Sequence, residues 1–393
     1  MTRRSGMVAR TARLALLAGL VGSPASAEEP PLSWAVTYTV DAASTLSGGS
    51  DMRLRGLDNL DLEADAELAA LLGWRGARAH VHVLNNLGAR PNDAAGTLQG
   101  VDNIEVAGPA LRLFEAWIEQ DLGGASLRVG LYDLNSEFYA TEAAGLLIAP
   151  PFGIGSELAA SGPNGPSIFP STALALRFDT ALDDGGSYLR LAAVNARAST
   201  LGDSAGVDLG FRDGVLAIGE AGLVRDPLRL SAGLWGYSRA REDIFETDAA
   251  GIPLRHAAWG GYGAVEANIL PDPRGRLDAF LRIGFSEGHT TPYTFGTQAG
   301  LRYAPAFASR PDSAASLGFH YAGTNRDFRA AGRAAGANPA GQEYAIEATY
   351  ADRLTPLLTL QPDLQLVFNP GGRADIAPAL VAILRLRFEF ASD

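Results

Sequence analysis

The chain has 393 residues with 44 acidic side chains against 32 basic ones, and it contains no Cys. All of the basic side chains are Arg. The net charge of −12 argues against a nucleic-acid partner, which would require a basic surface, and the lack of Cys excludes disulfides and thiolate metal sites.

The first residues have the features of a secretory signal peptide. Four Arg and no acid precede an apolar run at 14–21, and a small-residue sequence ends on Ala27. A basic segment, a short apolar segment and an A-x-A site are typical of a cleaved export signal. The apolar run is too short to cross a bilayer as a helix, which takes about 20 residues. We therefore predict a cleaved signal peptide at residues 1–27 and a mature domain at 28–393.

The mature domain is predicted to be a single all-β unit. Without the four Arg of the signal, 28 of the 32 basic side chains remain against 44 acids, which gives a net charge of −16. The 46 Gly and 22 Pro are spread along the chain without a recognisable linker. Short segments separated by regularly spaced turn residues indicate strands of one domain.

Apolar and polar side chains alternate along many of these segments, as they do when a strand has one polar face. In the segment 114–119, Phe114 and Ile118 would face one side, and Glu115, Trp117 and Glu119 the other. Later segments each carry one Arg between apolar neighbours: Arg128, Arg190, Arg229, Arg282 and Arg302.

A Gly- and Pro-rich stretch at 140–166 interrupts this series of strands. A segment of this length without secondary structure is usually functional or disordered. It could fold into the mouth of the domain, pack against a neighbouring subunit, or form a plain surface loop. The sequence leaves these three alternatives open.

The last segment of the chain places Leu384 and Leu386 opposite Arg385, Arg387 and Glu389. Charges that alternate in this way would be costly in a soluble core. They are compatible with a soluble exported β-sandwich whose polar face is outside, or with a membrane barrel whose polar face lines the lumen.

Export and isolated charges on so many strands favour the membrane barrel over the sandwich. Aromatic residues near predicted strand ends are consistent with interfacial girdles; they include Trp34, Trp235, Tyr237 and Phe390. Residues 28–393 fit about 16 strands at porin size. We predict an all-β transmembrane antiparallel β-barrel of about 16 strands.

Several motifs resemble one family of such barrels. They read EAWIEQ at 115–120, GLYDLNSEF at 130–138, LTLQPDLQ at 358–365 and NPGG at 369–372. In this order and spacing the chain resembles the OprB family of carbohydrate-selective porins, from about residue 34 to the C-terminus. The resemblance implies an outer-membrane barrel of a Gram-negative bacterium, usually a homotrimer in contact with outer-membrane lipid. It also implies passive, facilitated diffusion of glucose-like sugars.

A sugar pore needs a constriction whose groups replace the hydration of hydroxyls weakly enough to release the solute. Arg donates, carboxylates accept, and an aromatic face can stack on a sugar ring. We predict eight residues in or near the constriction: Arg75, Arg78, His80, His82, Glu115, Trp117, Glu119 and Arg128. The alternative is that they are ordinary wall residues that pair with one another and stiffen the barrel.

We predict no catalytic residue, no cofactor and no metal. His80 and His82 share a strand face, but two His without a third ligand are weak evidence for a metal. A barrel enzyme such as an outer-membrane phospholipase would need a nucleophile and a base held together, and no G-x-S-x-G motif occurs. A general or anion-preferring porin stays open because Arg recurs on the polar faces, although the acidic net charge opposes it.

Overall fold

The computed structural model describes residues 30–272 and 275–392, so the predicted signal peptide lies outside the described residues. Within them the strands are β1 Leu32–Ser47, β2 Arg55–Glu67, β3 Ala77–Gly88, β4 Ala110–Asp121, β5 Ala125–Tyr132, β6 Ala173–Ala181, β7 Tyr188–Asn195, β8 Val215–Arg225, β9 Leu228–Tyr237, β10 Arg241–Thr247, β11 Pro253–His256, β12 Trp259–Asp272, β13 Gly275–Ser286, β14 Tyr293–Ala304, β15 Ser313–Thr324, β16 Gln342–Thr355, β17 Leu358–Phe368 and β18 Ala379–Ala391. The helices are α1 Leu68–Leu72, α2 Pro91–Ala95, α3 Ser156–Ala159 and α4 Arg326–Ala334. None of the described helices has the length and apolar character needed to cross a membrane.

Sixteen of these strands form one closed antiparallel barrel. Each strand pairs with its neighbours along the chain, β9 pairs with β12, and β1 closes the ring by pairing with β18. The hairpin β10–β11 is a separate two-stranded sheet. Closure pairs the backbone of every strand, which is the condition for crossing a bilayer with strands. The predicted all-β barrel of about 16 strands is confirmed, and the alternative of a β-sandwich is wrong.

The period-two pattern sorts the side chains of the wall as predicted. On β18, Leu384 and Phe390 are exposed on the outer surface, whereas Arg385 turns inward and pairs with Asp41 of β1 at 2.6 Å. On β17, Gln365 points inward and is fully buried. An apolar outer face and a polar inner face are the arrangement expected of a barrel in lipid.

Three aromatic residues differ from their predicted side. Phe114 is buried beside the His82 ring, with 5.1 Å between ring centroids, because a bulge shifts the β3–β4 register next to Glu115. A bulge inserts one residue and thereby changes the face of those that follow it. Trp235 and Tyr237 are also buried in an inner apolar cluster, so they do not contribute to an outer girdle.

The connections between strands are short at one end of the barrel and long at the other. Short turns include residues 122–124, 226–227 and 356–357, and the first and last strands begin and end on this side. The long connections include 89–109, 133–172 and 238–258. In outer-membrane barrels the short turns face the periplasm and the long loops face the cell exterior. The long-loop end of this barrel therefore corresponds to the extracellular end of such barrels.

Two of the long connections fold into the barrel. Residues 133–172 carry α3 and pack their apolar side chains, such as Phe138 and Leu158, against the inner wall. Residues 89–109 carry α2 and contribute Val101 to a second inner cluster. The core of the molecule thus lies between the wall and these two segments, which we call the inner loop (133–172) and the second loop (89–109).

Candidate functional site

The inner loop is fixed to the wall by a buried guanidinium. Arg282 of β13 is fully buried and donates hydrogen bonds to three carbonyl oxygens of the loop. These are the carbonyls of Tyr139 at 2.9 Å, Pro151 at 2.6 Å and Gly153 at 2.9 Å. A single planar guanidinium offers five donors in a fixed geometry. One side chain therefore holds two stretches of the loop together on the inner surface.

Wall carboxylates complete the attachment by accepting hydrogen bonds from backbone N–H groups of the inner loop. A carboxyl oxygen has lone pairs free to accept each of these donors. The hydrogen bonds run to Glu220 from Tyr139 (2.9 Å), to Glu266 from Ala143 (2.8 Å), and to Glu347 from Ile148 (2.5 Å) and Ala149 (3.0 Å). Because these carboxylates belong to β8, β12 and β16, the loop is tied to widely separated parts of the wall.

Glycines on two neighbouring strands make room for the loop. A Cβ on Gly284 would lie 1.8 Å from Oε1 of Glu157, and one on Gly296 would lie 2.2 Å from Oε2 of the same residue. Glu157 belongs to α3, is fully buried and accepts a hydrogen bond from Tyr139 at 2.9 Å. Gly within a strand marks a close approach of this kind.

The base of the inner loop enters a buried network of Arg and Glu. Glu119 of β4 contacts Arg128 and Arg177, both at 2.8 Å, and Glu137 of the loop contacts Arg177 at 2.6 Å. Arg190 donates to the carbonyl of Glu137 at 2.7 Å. Burial would raise the pKa of Glu137, but the three guanidiniums outweigh it and hold this pKa well below its usual value. The network therefore contains ionised carboxylates with full partners.

Trp117 lies at the centre of the predicted residues and is itself buried, at 3 % exposure. The His80 ring is stacked on it with 5.0 Å between centroids, and the Arg128 guanidinium lies 3.8 Å from its centroid. Its indole N–H donates to Glu115 at 3.1 Å, and Glu115 also accepts from the backbone N–H of Asp133. The aromatic ring thus links three strands and the start of the inner loop.

The two predicted His are both engaged with acids of β2. His80 Nδ1 lies 3.0 Å from Asp65, and His82 Nε2 lies 3.0 Å from Asp61. Ligand atoms of both His and of Glu115 fall within 4.8 Å of one another, so a third possible ligand exists that the sequence did not reveal. Both rings pair with acids of the neighbouring strand, and His80 is also stacked on Trp117, so we describe these groups as part of the polar wall.

Seven of the eight predicted residues form one continuous patch, and Arg75 does not join it. Arg78 contacts Glu119 at 2.5 Å and keeps 40 % of its side chain exposed. Arg75 lies exposed in the turn before β3, where its carbonyl accepts a hydrogen bond from Gln120. The predicted patch therefore extends from Arg78 to Glu115 along the wall, beside the base of the inner loop.

The second loop is attached through a separate set of polar groups. Glu343 of β16 accepts hydrogen bonds from the backbone N–H of Leu98 and of Gln99, both at 2.8 Å. Ser156 of α3 donates to the Gln99 side chain at 2.9 Å, which joins the two loops inside the barrel. Arg385 of β18 lies 2.8 Å from Asn103 at the other end of this loop.

Sequence reasoning missed most of the groups that hold the two loops. These are Arg177, Glu137, Glu220, Glu266, Glu343 and Glu347, whereas Arg190 and Arg282 were recognised only as inward Arg. The sequence did contain a signal for these attachments. Single charges in the middle of predicted strands require partners, and the backbone polar groups of the stretch 140–166 could supply them.

Comparison with known proteins identifies the family. The family model described as "Carbohydrate-selective porin, OprB family" matches residues 51–390. The chain belongs to the OprB family. As a member of this family it is an outer-membrane carbohydrate porin, and it is a channel rather than an enzyme. The barrel-enzyme alternative is thereby set aside.

The relatives of this OprB-family chain agree with the fold. Porin B of Pseudomonas aeruginosa is 23 % identical over 398 residues, which cover 90 % of this chain and 86 % of that protein. The high-pH structure of Pseudomonas putida OprB superposes with a TM-score of 0.81 at 22 % identity and covers 92 % of this chain and 94 % of that one. The outer-membrane channel DcaP of Acinetobacter baumannii gives a TM-score of 0.57 at 9 % identity, with 91 % and 97 % covered.

Proposed function

We propose that this porin passes glucose-like monosaccharides into the periplasm by passive, sugar-selective diffusion. The observation that carries the proposal is the inner loop, which is held within the barrel by Arg282 and by wall carboxylates such as Glu347. A 16-stranded barrel without such a segment would leave a wide aqueous channel. With the loop inside, a solute must pass close to polar groups of the wall.

The polar groups that keep some exposure on the inner face are both donors and acceptors. Arg78 and Asp65 each retain 40 % side-chain exposure, and Arg387 and Glu389 retain 33 % and 38 %. A sugar hydroxyl can donate to a carboxylate and accept from a guanidinium. Paired groups of this kind suit a neutral polyhydroxy solute, because they replace water without requiring a charge on the solute.

The predicted constriction residues divide into two roles in this proposal. Arg78 and His82 would present polar atoms to the passing solute. Trp117, Glu119 and Arg128 are buried, so they would act by fixing the wall and the base of the inner loop. Glu115 and His80 would position Trp117, and Arg75 would lie at the periplasmic exit.

A general or anion-preferring porin is the second candidate, favoured by the number of inward Arg. Most of these Arg are neutralised: Arg177 by Glu119 and Glu137, and Arg385 by Asp41. Neutralised pairs produce a weak field in the channel, so anion preference should be small. The reversal potential measured across a KCl gradient separates the two candidates. In an anion-preferring pore it would lie close to the equilibrium potential of chloride.

We also propose that the mature porin begins near Glu28 after signal cleavage and that it forms a homotrimer in the outer membrane. The basic and apolar N-terminal pattern supports cleavage. N-terminal sequencing of protein purified from outer membranes should begin near this residue, and the mass in detergent should be three times that of one chain. A mature sequence that begins at Met1, or a mass of one chain, would contradict these two statements.

Block of the ion current in a planar bilayer tests sugar recognition in the channel. Glucose should reduce the KCl current in a saturable way, and an amino acid of similar size should do so much less. Arg78→Gln should weaken this effect several-fold, because it removes a partly exposed donor from the inner face. Arg75→Gln, which removes the same charge from the periplasmic turn, is the matched control. Equal effects of both solutes would reduce the function to general diffusion.

A further inference from the structure

A second cluster of polar side chains lies outside the barrel wall, in the extracellular loops. Asp243 of β10, His256 of β11 and His289 of the connection between β13 and β14 place one ligand atom each within 4.8 Å of one another. Asp327 of α4 adds a carboxylate oxygen 3.2 Å from His289 Nδ1. These residues come from three separate stretches of the chain that meet at this point.

The ligand atoms of this cluster are buried, and their nearest polar neighbours are one another. Among residues 30–272 and 275–392, no hydrogen bond of acceptable geometry reaches Oδ2 of Asp243, Nε2 of His256 or Nδ1 of His289. The Asp243 side chain has no solvent exposure. A buried polar atom without a partner costs about 1–3 kcal/mol. The three atoms thus converge at ion-pair distances without a well-formed hydrogen bond, an arrangement that a bound cation would satisfy better.

The spacing of these atoms is that of ligands around a metal ion. Asp243 Oδ2 lies 3.2 Å from His256 Nε2 and 3.4 Å from His289 Nδ1. Zinc binds imidazole nitrogen and carboxylate oxygen at about 2.0–2.2 Å in a tetrahedral arrangement, in which two ligands lie about 3.3–3.5 Å apart. The two imidazole rings are nearly parallel, at 18° and 4.4 Å between centroids, so the rings would have to turn towards each other when an ion binds.

The surrounding backbone holds the Asp243 carboxylate in place through the oxygen that does not face the two His. Asp243 is oriented by its other oxygen, which accepts from the backbone N–H of Phe245 and of Glu246, both at 2.8 Å. The N–H of Ile244 donates to the carbonyl of His289 at 3.1 Å. Hydrogen bonds to a ligating carboxylate are the usual outer support of a metal site. The orientation of the Asp243 carboxylate thus does not depend on its contacts with the two His.

We propose that Asp243, His256 and His289 bind one divalent transition-metal ion of the zinc type at the extracellular mouth of the porin. The fourth position lies next to Asp327, whose carboxylate flanks the same nitrogen of His289. Two imidazoles and a carboxylate are a set that zinc accepts readily. The ion links the β10–β11 hairpin, the β13–β14 connection and, through Asp327, α4. It therefore holds extracellular loops together above the channel.

Metal uptake by the full-length protein, purified in detergent without a His tag, tests this proposal. After dialysis against micromolar ZnCl2, elemental analysis should find one zinc per chain. Asp243→Asn and His289→Gln should each weaken zinc binding at least tenfold. Glu242→Gln is the matched control, because it removes one charge from the same hairpin at a side chain that is paired with Arg255. Heat-modifiable migration on a gel checks that each variant is a folded barrel.

Absorption of bound Co2+ provides a second measurement. It would not depend on these residues if their role were only structural. Co2+ in a tetrahedral site should give visible absorption bands in the wild type and in Glu242→Gln, and these bands should be lost in His289→Gln. No zinc uptake by the wild type would overturn the proposal. So would uptake that is unchanged in Asp243→Asn and His289→Gln but abolished in His82→Gln, since the ion would then lie at the inner wall.

Discussion

Releasing the inner loop from the wall should enlarge the channel, and Arg282→Met is the substitution that tests this most sharply. Met keeps an apolar stem of similar length but removes the guanidinium that donates to three carbonyls of the loop at 2.6–2.9 Å. A hydrogen bond to a charged group contributes about 1.5–3 kcal/mol. Water that enters beside the released carbonyls recovers part of this, so we take about 3 kcal/mol for the three together.

A change of about 3 kcal/mol corresponds to roughly a hundredfold shift between the held and released loop. Single-channel recording in planar bilayers should therefore show that the variant spends far more time in a state of larger conductance than the wild type. Its glucose-dependent block should weaken at the same time, because solutes no longer pass close to the wall. The barrel itself should stay folded, since the strand pairing is untouched.

Arg302→Met is the control, because it removes the same charge from the inner face of the next strand, where the nearest acid is Asp278 at 4.0 Å. Its conductance states should resemble those of the wild type. This role of Arg282 would be refuted if Arg282→Met kept wild-type conductance and glucose block. It would also be refuted if both Arg variants changed the conductance equally, since the effect would then come from charge alone.

Three further substitutions test the contacts of the inner loop and of the second loop. Gly284→Ala should raise the conductance, because its Cβ would lie 1.8 Å from Glu157 of the loop, whereas Gly263→Ala should not, since its nearest atom is 3.8 Å away. Glu137→Gln should lower the temperature midpoint of heat-modified migration through a loss of about 3 kcal/mol. Because the low pKa of Glu137 keeps it ionised above pH 5, the difference between variant and wild type that is due to Glu137 should not change between pH 5 and 8. Burial raises the pKa of Glu105 to about 7. At a pH between the pKa of Glu105 in the unfolded chain and this raised pKa, the folded second loop binds a proton that the unfolded chain does not, so the folded loop loses stability as the pH rises. The amides of the second loop should therefore exchange faster at pH 8 than at pH 5, after correction for intrinsic rates. Equal protection at both pH values, or the same difference in Glu105→Gln, would contradict this.

The wall of the barrel was predictable from the sequence because its signal is local. In the second half of β18, the polarity of a residue indicates its side: Leu384 and Phe390 face outward and Arg385 inward. The polarity pattern gives the wrong side where a bulge adds one residue, and also where the inner loop covers inward apolar residues such as Trp235. Phe114 is a case of the first kind, since its side depends on the register between β3 and β4, which the sequence of β4 alone does not contain.

The inner loop and its attachments were predictable only in part because they depend on contacts between distant parts of the chain. Arg282 was recognised as inward, but its partners Tyr139 and Pro151 are far away in sequence. The sequence pattern around a carboxylate such as Glu347 is the same whether its side chain accepts a hydrogen bond from a loop N–H or from water. The second His cluster was missed for the same reason, since His256 and His289 meet only after the extracellular loops have folded.

Liposome swelling with the wild-type protein tests the central claim most directly. Protein from outer membranes would be reconstituted, and swelling rates compared in isotonic glucose, a disaccharide and an amino acid of similar size to glucose. Sugar-selective diffusion predicts that glucose enters clearly faster than the size-matched amino acid. Rates ordered by solute size alone would contradict it.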